Sequence, residues 1–168
     1  RVLVTGANGF IGKALCEKLL GEGLNVRGAV RSLGAAASLD EGIEPAVTGD
    51  IGPDTDWSAA LHGIDVIAHL AAHVHVMKEA EPDFLRKHQT VNTAGTETLA
   101  RSAAKKNVKR LVLVSTIKVN GETTKNLAFT GTEAPRPQDP YAVSKWEAEQ
   151  CLRRVSEETG LEHVIIRP

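Results

Sequence analysis

Cysteine is scarce in this chain: Cys16 and Cys151 are the only two, far apart and each inside a helical pattern. A disulfide framework is not available to them, and they read as small core hydrophobes of a reduced, cytoplasmic protein. Blocks of one charge sign are missing as well. Twenty Lys and Arg against 21 Asp and Glu leave a net charge of -1, so neither nucleic acid nor an anionic membrane surface is an expected partner. The longest apolar runs are strand-sized, too short for a bilayer. No charged-then-apolar leader is expected either, since the chain opens at Arg1 inside the first strand. Internal repeats and low-complexity tracts are also missing. At 168 residues the chain is expected to bury one core as a single domain, 1–168.

What the chain does have is a glycine-studded turn near its start. Val2, Leu3 and Val4 suit a strand buried on both faces of a parallel sheet, and Ile11, Ala14, Leu15 and Leu19 follow helical spacing. Between them stands Thr5-Gly6-Ala7-Asn8-Gly9-Phe10-Ile11-Gly12. Gly6 permits a tight turn, Gly9 removes a Cβ that would block a pyrophosphate, and Gly12 lets the helix pack close to the strand. The helix N-terminus adds unpaired N–H groups and a partial positive charge. Gly6, Gly9, Phe10, Ile11 and Gly12 therefore read as a dinucleotide site. A turn that binds nothing is the competing reading, and the position between strand and amphipathic helix disfavours it.

The first helix is expected to end near Gly21 and Gly23, followed by a strand over 24–30. A site for NAD places an acidic residue about 20 residues past the glycine turn, to accept from the ribose 2′-hydroxyl. Here Arg31-Ser32 stands instead. A guanidinium can fork a 2′-phosphate and stack on adenine, so NADP is favoured over NAD; the alternative is a solvated Arg31 and either cofactor. Residues 33–42 read as a short helix or loop. Residues 45–48 form a brief third strand ending at Gly49-Asp50-Ile51, 57–61 a helical segment with Trp57 in the core, and 65–70 a fourth strand. At its carboxyl end His69-Leu70-Ala71-Ala72 offers small residues that let the backbone approach a cofactor ribose. His69, His73 and His75 raise a zinc site, but no cysteine or carboxylate completes a ligand set, and no metal is expected. His73 and His75 instead line the nicotinamide or substrate side of the cleft, or are polar loop residues.

Residues 82–106 carry a long helical pattern interrupted by Val91-Asn92-Thr93-Ala94-Gly95-Thr96. Gly inside a helix costs about 1 kcal/mol against Ala, so this stretch needs a reason. Asn107 can cap it, and 110–115 form a buried fifth strand ending in Ser115-Thr116. The loop 117–139 has no clear periodicity, and loops of that length are usually functional. Asp139-Pro140 supplies an N-cap and a first-turn proline, so a helix over 140–159 is expected, with Gly160 as cap and a sixth strand over 161–166.

Tyr141 and Lys145 lie four apart, one turn of that helix. A tyrosine of pKa near 10 needs a shift of about 3 units to act as a base at neutral pH. An ammonium about 4 Å away contributes roughly that. Lys145 is thus expected to lower the Tyr141 pKa and to hold the nicotinamide ribose, while Thr116 steadies the reacting oxygen.

The T-G-x-x-G-x-x-G opening, the N-x-x-G-T element at 92–96, the hydroxyl of Thr116 and the Y-x-x-x-K from Tyr141 to Lys145 together resemble one family over all 168 residues. It is the extended short-chain dehydrogenase/reductases, the NAD(P)-dependent epimerase/dehydratase group. The resemblance implies a doubly wound parallel α/β sheet, the Rossmann fold, with a substrate-binding lobe that would follow residue 168. It places Asp50 near the adenine amine and the Ile51 backbone near the ring, an N-cap or Asx-turn being the equal alternative for Asp50. It sets Leu70, Ala71 and Ala72 against the ribose, puts Asn92 beside the active site with His73 toward substrate, and has Gly95 permit close packing.

Two departures matter: Asn120-Gly121 stands where Tyr-Gly is frequent, and Ile117-Lys118 where dehydratases carry Asp-Glu. A dehydratase is thereby disfavoured. Residues 115–121 look more like bacterial UDP-sugar 4-epimerases and 4-keto-sugar reductases, which implies a nucleotide-sugar substrate and a homodimer built on the helices of 82–106 and 140–159. A small-carbonyl reductase resembling the dihydroflavonol reductases is the runner-up. A non-catalytic NAD(P) sensor is the reading from another class, against which the retained Thr116, Tyr141 and Lys145 speak.

Overall fold

The computed structural model describes residues 1–74, 84–124 and 128–168. Alternation of apolar side chains along the strands builds two cores, one on each face of a single sheet. Leu3 and Val4 are neighbours in β1 (Val2–Thr5) and both fully buried, yet they belong to different cores. Successive strand residues point to opposite faces, so this strand is covered on both sides. β2 (Val26–Val30) is buried at all five positions. With β3 (Glu44–Val47), β4 (Val66–His69), β5 (Arg110–Val114) and β6 (Glu162–Ile166) they form a six-stranded sheet in the order β3-β2-β1-β4-β5-β6. Every pairing is parallel. The order reverses between β1 and β4, and the crevice outside their carboxyl ends is where open α/β sheets bind ligands. Strand ends fall within two residues of those expected.

The helices α1 (Phe10–Gly21) and α2 (Leu33–Ala36) follow β1 and β2. The long helical stretch is interrupted: α3 (Phe84–His88) passes through a π-helical turn, Gln89–Ala94, into α4 (Gly95–Lys105). Gly95 N–H reaches five residues back to Thr90 O there. Residues 82 and 83 lie outside the described residues. Asn107 takes the left-handed conformation (φ 57°) that closes α4, with Val108 N–H donating to Ala103 O at 3.0 Å. α5 (Pro140–Thr159) starts as its sequence signals: Asp139 accepts from Ala142 N–H at 2.6 Å, and Gly160 caps the other end in the left-handed region.

One expected element is corrected. Residues 58–63 form successive turns, not a helix, and within 57–61 there is a single helical hydrogen bond, from Leu61 N–H to Trp57 O. The buried guanidinium of Arg27 takes the carbonyls of Ala59, Ala60 and His62 at 3.3, 2.9 and 2.8 Å, which a continuing helix would have used. Trp57 is in the core as expected, 1% exposed. Among the described residues, α4 and α5 expose no large apolar side chain of the kind that pairing through those helices would call for; Leu85 of α3 is exposed.

Candidate active site

The glycine turn closes as its residue types require. Gly6 has φ +67°, and Gly9 N–H returns to Gly6 O at 2.9 Å. A Cβ on Gly12 would stand 2.1 Å from Gly6 O, so only glycine lets α1 start this close to β1. α1 has no side-chain cap at Gly9 and no acidic residue in its first turn. The first-turn N–H groups, those of Phe10 and Ile11 among them, are thus left for an anion. The Phe10 and Ile11 side chains themselves are exposed.

Beside this turn lies a cleft of about 510 Å³ that brings together Gly6, Arg31, Asp50, Ile51, Ala71, Ala72 and His73 from the ends of four strands. The donor set fits a dinucleotide: a bare helix start for the pyrophosphate, and small side chains where backbone must approach. Of the other expected cofactor residues, Gly9, Phe10, Ile11, Gly12, Tyr141 and Lys145 do not line this cleft, nor does Leu70, which is partly buried against the α1-side core. Its N–H donates to Thr5 Oγ1.

His69 turns inward and ties three elements together. Its Nδ1 lies 2.7 Å from Thr5 Oγ1 and its Nε2 3.1 Å from Thr96 Oγ1. Thr5 Oγ1 already accepts from Leu70 and Ala71 N–H, and Thr96 donates to Asn92 O at 2.6 Å. One proton arrangement satisfies all of these: Thr5 donates to Nδ1, and Nε2–H donates to Thr96. That arrangement needs a neutral ring, and burial with Lys145 nearby pushes the His69 pKa down to about 3. His75 lies outside the described residues.

The Asn92 side chain is 1% exposed, buried between the loop after β4 and α5. Oδ1 accepts from His73 N–H at 2.7 Å, while Nδ2 donates to His73 O at 3.0 Å and to Ser144 Oγ at 2.9 Å. It therefore positions the loop after β4 against α5. The π-helical turn is what aims it there, and Gly95 lets that turn approach the loop after β3: a Cβ on Gly95 would meet Ile51 Cγ2 at 2.5 Å.

Tyr141, the chain's single tyrosine, stands in the first turn of α5, with Lys145 one turn on and Glu149 one turn further. The Lys145 ammonium is buried and donates to Val114 O at 2.8 Å, at the end of β5. Burial pushes its pKa down to about 8, against the pull of Glu149. The phenol of Tyr141 is shifted in the direction opposite to that expected from Lys145. Burial raises its pKa, Asp139 adds to the rise, and Lys118 opposes it. The charges acting on it are those of the Lys118–Asp139 pair, 2.5 Å apart. Thr116 is half-buried and caps the turn Ile117–Val119 by accepting from Lys118 N–H at 3.3 Å. His88, buried, bridges Tyr141 to the cleft. Its ring lies 6.0 Å from Tyr141 and 4.7 Å from His73, and its Nδ1 meets His73 O at 3.0 Å.

Behind the site, Glu149 is fully buried between Ser115 Oγ at 2.6 Å and the guanidinium of Arg167 at 2.6 and 2.9 Å. Arg167 also donates to Asn120 Oδ1 at 3.1 Å. Sequence reasoning missed Glu149, Ser144 and His88. The four-residue step from Lys145 to Glu149 was the available signal for the first; His88 and Ser144 have none until the π-helical turn is known.

A parallel sheet of order 3-2-1-4-5-6, a glycine turn at its switch point and a Tyr–Lys pair at the start of the helix before its sixth strand define a dinucleotide-binding domain of the short-chain dehydrogenase/reductase class. The profile of the NAD dependent epimerase/dehydratase family matches residues 2–168, and the chain belongs to that family. A UDP-glucose 4-epimerase of Vibrio cholerae is 40% identical over 99% of this chain and 50% of its own length. A 4-hydroxy-2-methyl-3-oxo-4-farnesyl-3,4-dihydroquinoline-1-oxide ketoreductase of Stigmatella aurantiaca is 30% identical over 100% of this chain and 49% of its own. Among solved structures, UDP-glucuronic acid 4-epimerase from Bacillus cereus, in complex with UDP-glucuronic acid and NAD, superposes with a TM-score of 0.84. It is 30% identical and covers 99% of this chain and 55% of that one. The chain thus spans about half the length of the relatives it matches. The expected cofactor class, NAD or NADP, agrees with the family and with the NAD in that neighbour. No helix among the described residues is long and apolar enough to cross a membrane.

Proposed function

We propose that the full-length protein is an NAD(P)-dependent epimerase or 4-keto-reductase acting at C4 of a UDP-linked sugar. The observation that carries this reading is the alignment of Tyr141 and Lys145 along one face of α5, at the end of β5 and one histidine ring away from the dinucleotide cleft. The 40% identity to an epimerase supports the sugar. When bound, the nicotinamide supplies hydride acceptance and donation. Tyr141 holds its proton at neutral pH in the geometry described and is set to deliver it to a carbonyl oxygen. Lys145, at about 8, is largely an ammonium at pH 7 held at the β5 carbonyl, and in this geometry the cation that favours the phenolate needed for the reverse transfer is Lys118. Thr116 offers the short hydroxyl that steadies the same oxygen. His73 sits on the substrate side of the cleft, and the dimer expected for the family belongs to the same proposal.

A second reading, reduction of a smaller carbonyl compound, is favoured by one observation: relatives at 30–32% identity are a ketoreductase and a 3-beta-hydroxysteroid dehydrogenase. Incubating the full-length protein with UDP-glucose and NAD, and with a UDP-4-keto-sugar and NADPH, separates the outcomes. Inversion at C4 without net cofactor loss means an epimerase, and stoichiometric loss of NADPH a reductase. Silence with both sugars, alongside turnover of a small ketone, overturns the sugar.

A further inference from the structure

Two residues expected to act separately on the cofactor are joined in the structure. Arg31 follows β2 and Asp50 lies just past β3, at the carboxyl ends of two strands paired in parallel with Val30 opposite Val47. Gly49, at φ +72°, turns the chain so that Asp50 Oδ1 stands 2.9 Å from Arg31 Nε. Both side chains line the dinucleotide cleft, and both are largely exposed, 79% and 85%.

We propose that Asp50 sets the cofactor preference of this cleft by acting as the internal counter-ion of Arg31. The proposal rests on the dinucleotide reading of the cleft. Taken alone, an arginine after β2 would favour a ribose 2′-phosphate, since a guanidinium binds that group through two parallel N–H bonds. Here its charge is already answered. A 2′-phosphate arriving at Arg31 meets a carboxylate 2.9 Å from the guanidinium and must displace it or share the cation with it, whereas a 2′-hydroxyl carries no charge for Asp50 to oppose. The pair is open to solvent, so it is a weak one and the bias it imposes is graded rather than absolute. The nearest approach of the pair is from Arg31 Nε to Asp50 Oδ1. The cleft thereby admits both dinucleotides and discriminates through one carboxylate.

The test is calorimetric titration of the full-length protein with NAD⁺ and NADP⁺, comparing wild type, Asp50→Asn, Arg31→Ala and the double variant. Both side chains are on the surface, so folding is not at stake. The ratio Kd(NAD⁺)/Kd(NADP⁺) is expected to rise on the order of fivefold in Asp50→Asn, to fall in Arg31→Ala, and to lose the Asp50→Asn gain in the double variant. A ratio unchanged in Asp50→Asn, with both constants moving together or neither moving, would overturn the proposal and leave Asp50 a residue serving parts common to both cofactors. Failure of wild type to bind either dinucleotide would instead overturn the reading of the cleft itself, and this proposal with it.

Discussion

Asn92 grips the main chain of His73 on both sides, accepting from its N–H at 2.7 Å and donating to its carbonyl at 3.0 Å, like one rung of a sheet made by a side chain. The third bond, to Ser144 Oγ, fastens this grip to the helix that carries Tyr141 and Lys145. Asn92→Ala leaves the His73 N–H without its acceptor and Ser144 without its donor, at a cost of about 1–3 kcal/mol. Asn92→Asp keeps the acceptor but loses both donors and sets a buried carboxylate against the His73 carbonyl, so above pH 6 its urea midpoint is expected to fall below that of Asn92→Ala. Equal midpoints for all three proteins would contradict the account of this residue.

Gly95→Ala sets two effects against each other. Alanine gains about 1 kcal/mol in helix propensity, but its Cβ would stand 2.5 Å from Ile51 Cγ2. Overpacking of this kind costs about 1–3 kcal/mol and wins. Because Ile51 also lines the cleft, cofactor affinity falls with stability. Ile51→Ala removes the clashing methyl, so the Gly95→Ala cost shrinks in that background, a coupling that a double-mutant cycle in urea reads directly.

These two residues also show how far the sequence could be read. Local signals were legible: the glycine turn, the Asp139-Pro140 start of α5, the Gly160 cap and the apolar strand runs each arise from a few adjacent residues. The oddity of Asn92 and Gly95 in a helix was visible too. Its resolution as a π-helical turn, with Asn92 facing inward, depends on Ile51 and His73, which are neighbours only once the sheet has formed. The same reason hid the failure of 57–61 to form a helix, since Arg27 takes its carbonyls from a different element. The direction of the Tyr141 shift was missed because burial of the phenol, the largest cause of the rise, is not contained in any spacing rule.

The Glu149–Arg167 pair has one carboxylate wholly out of water. Arg167→Ala leaves that carboxylate with Ser115 as its hydrogen-bond partner and the Lys145 ammonium, one turn away, as counter-charge, and is expected to cost about 3–5 kcal/mol, as removal of one partner from a buried pair does. Adding Glu149→Leu to Arg167→Ala should recover much of the loss in thermal denaturation. A double variant no more stable than Arg167→Ala would show that the pair does more than neutralise itself.

His69 gives the fold an acid-side weakness. Its pKa is about 3 in the native state against an ordinary 6.5. Below pH 6.5 the unfolded chain binds a proton that the native chain refuses, so native stability falls as pH drops from about 6.5 toward 3. For one group the slope approaches about 1.4 kcal/mol per pH unit. Urea denaturation of wild type and His69→Gln between pH 4 and 7 should show the wild type steeper by roughly that slope. Parallel curves would mean that His69 is protonated in the fold.

The central claim, hydride exchange at C4 of a UDP-sugar with Tyr141 moving the proton, is tested most directly with UDP-glucose deuterated at C4. The full-length wild type and Tyr141→Phe are each incubated with NAD, and the sugar and nicotinamide are followed by mass spectrometry and NMR. The account predicts deuterium either on the reduced nicotinamide or returned to C4 with inverted configuration, and a loss of about 10²–10⁴-fold in rate for Tyr141→Phe. Deuterium and configuration untouched at C4 while the cofactor is bound, or Tyr141→Phe turning over like wild type, would contradict it.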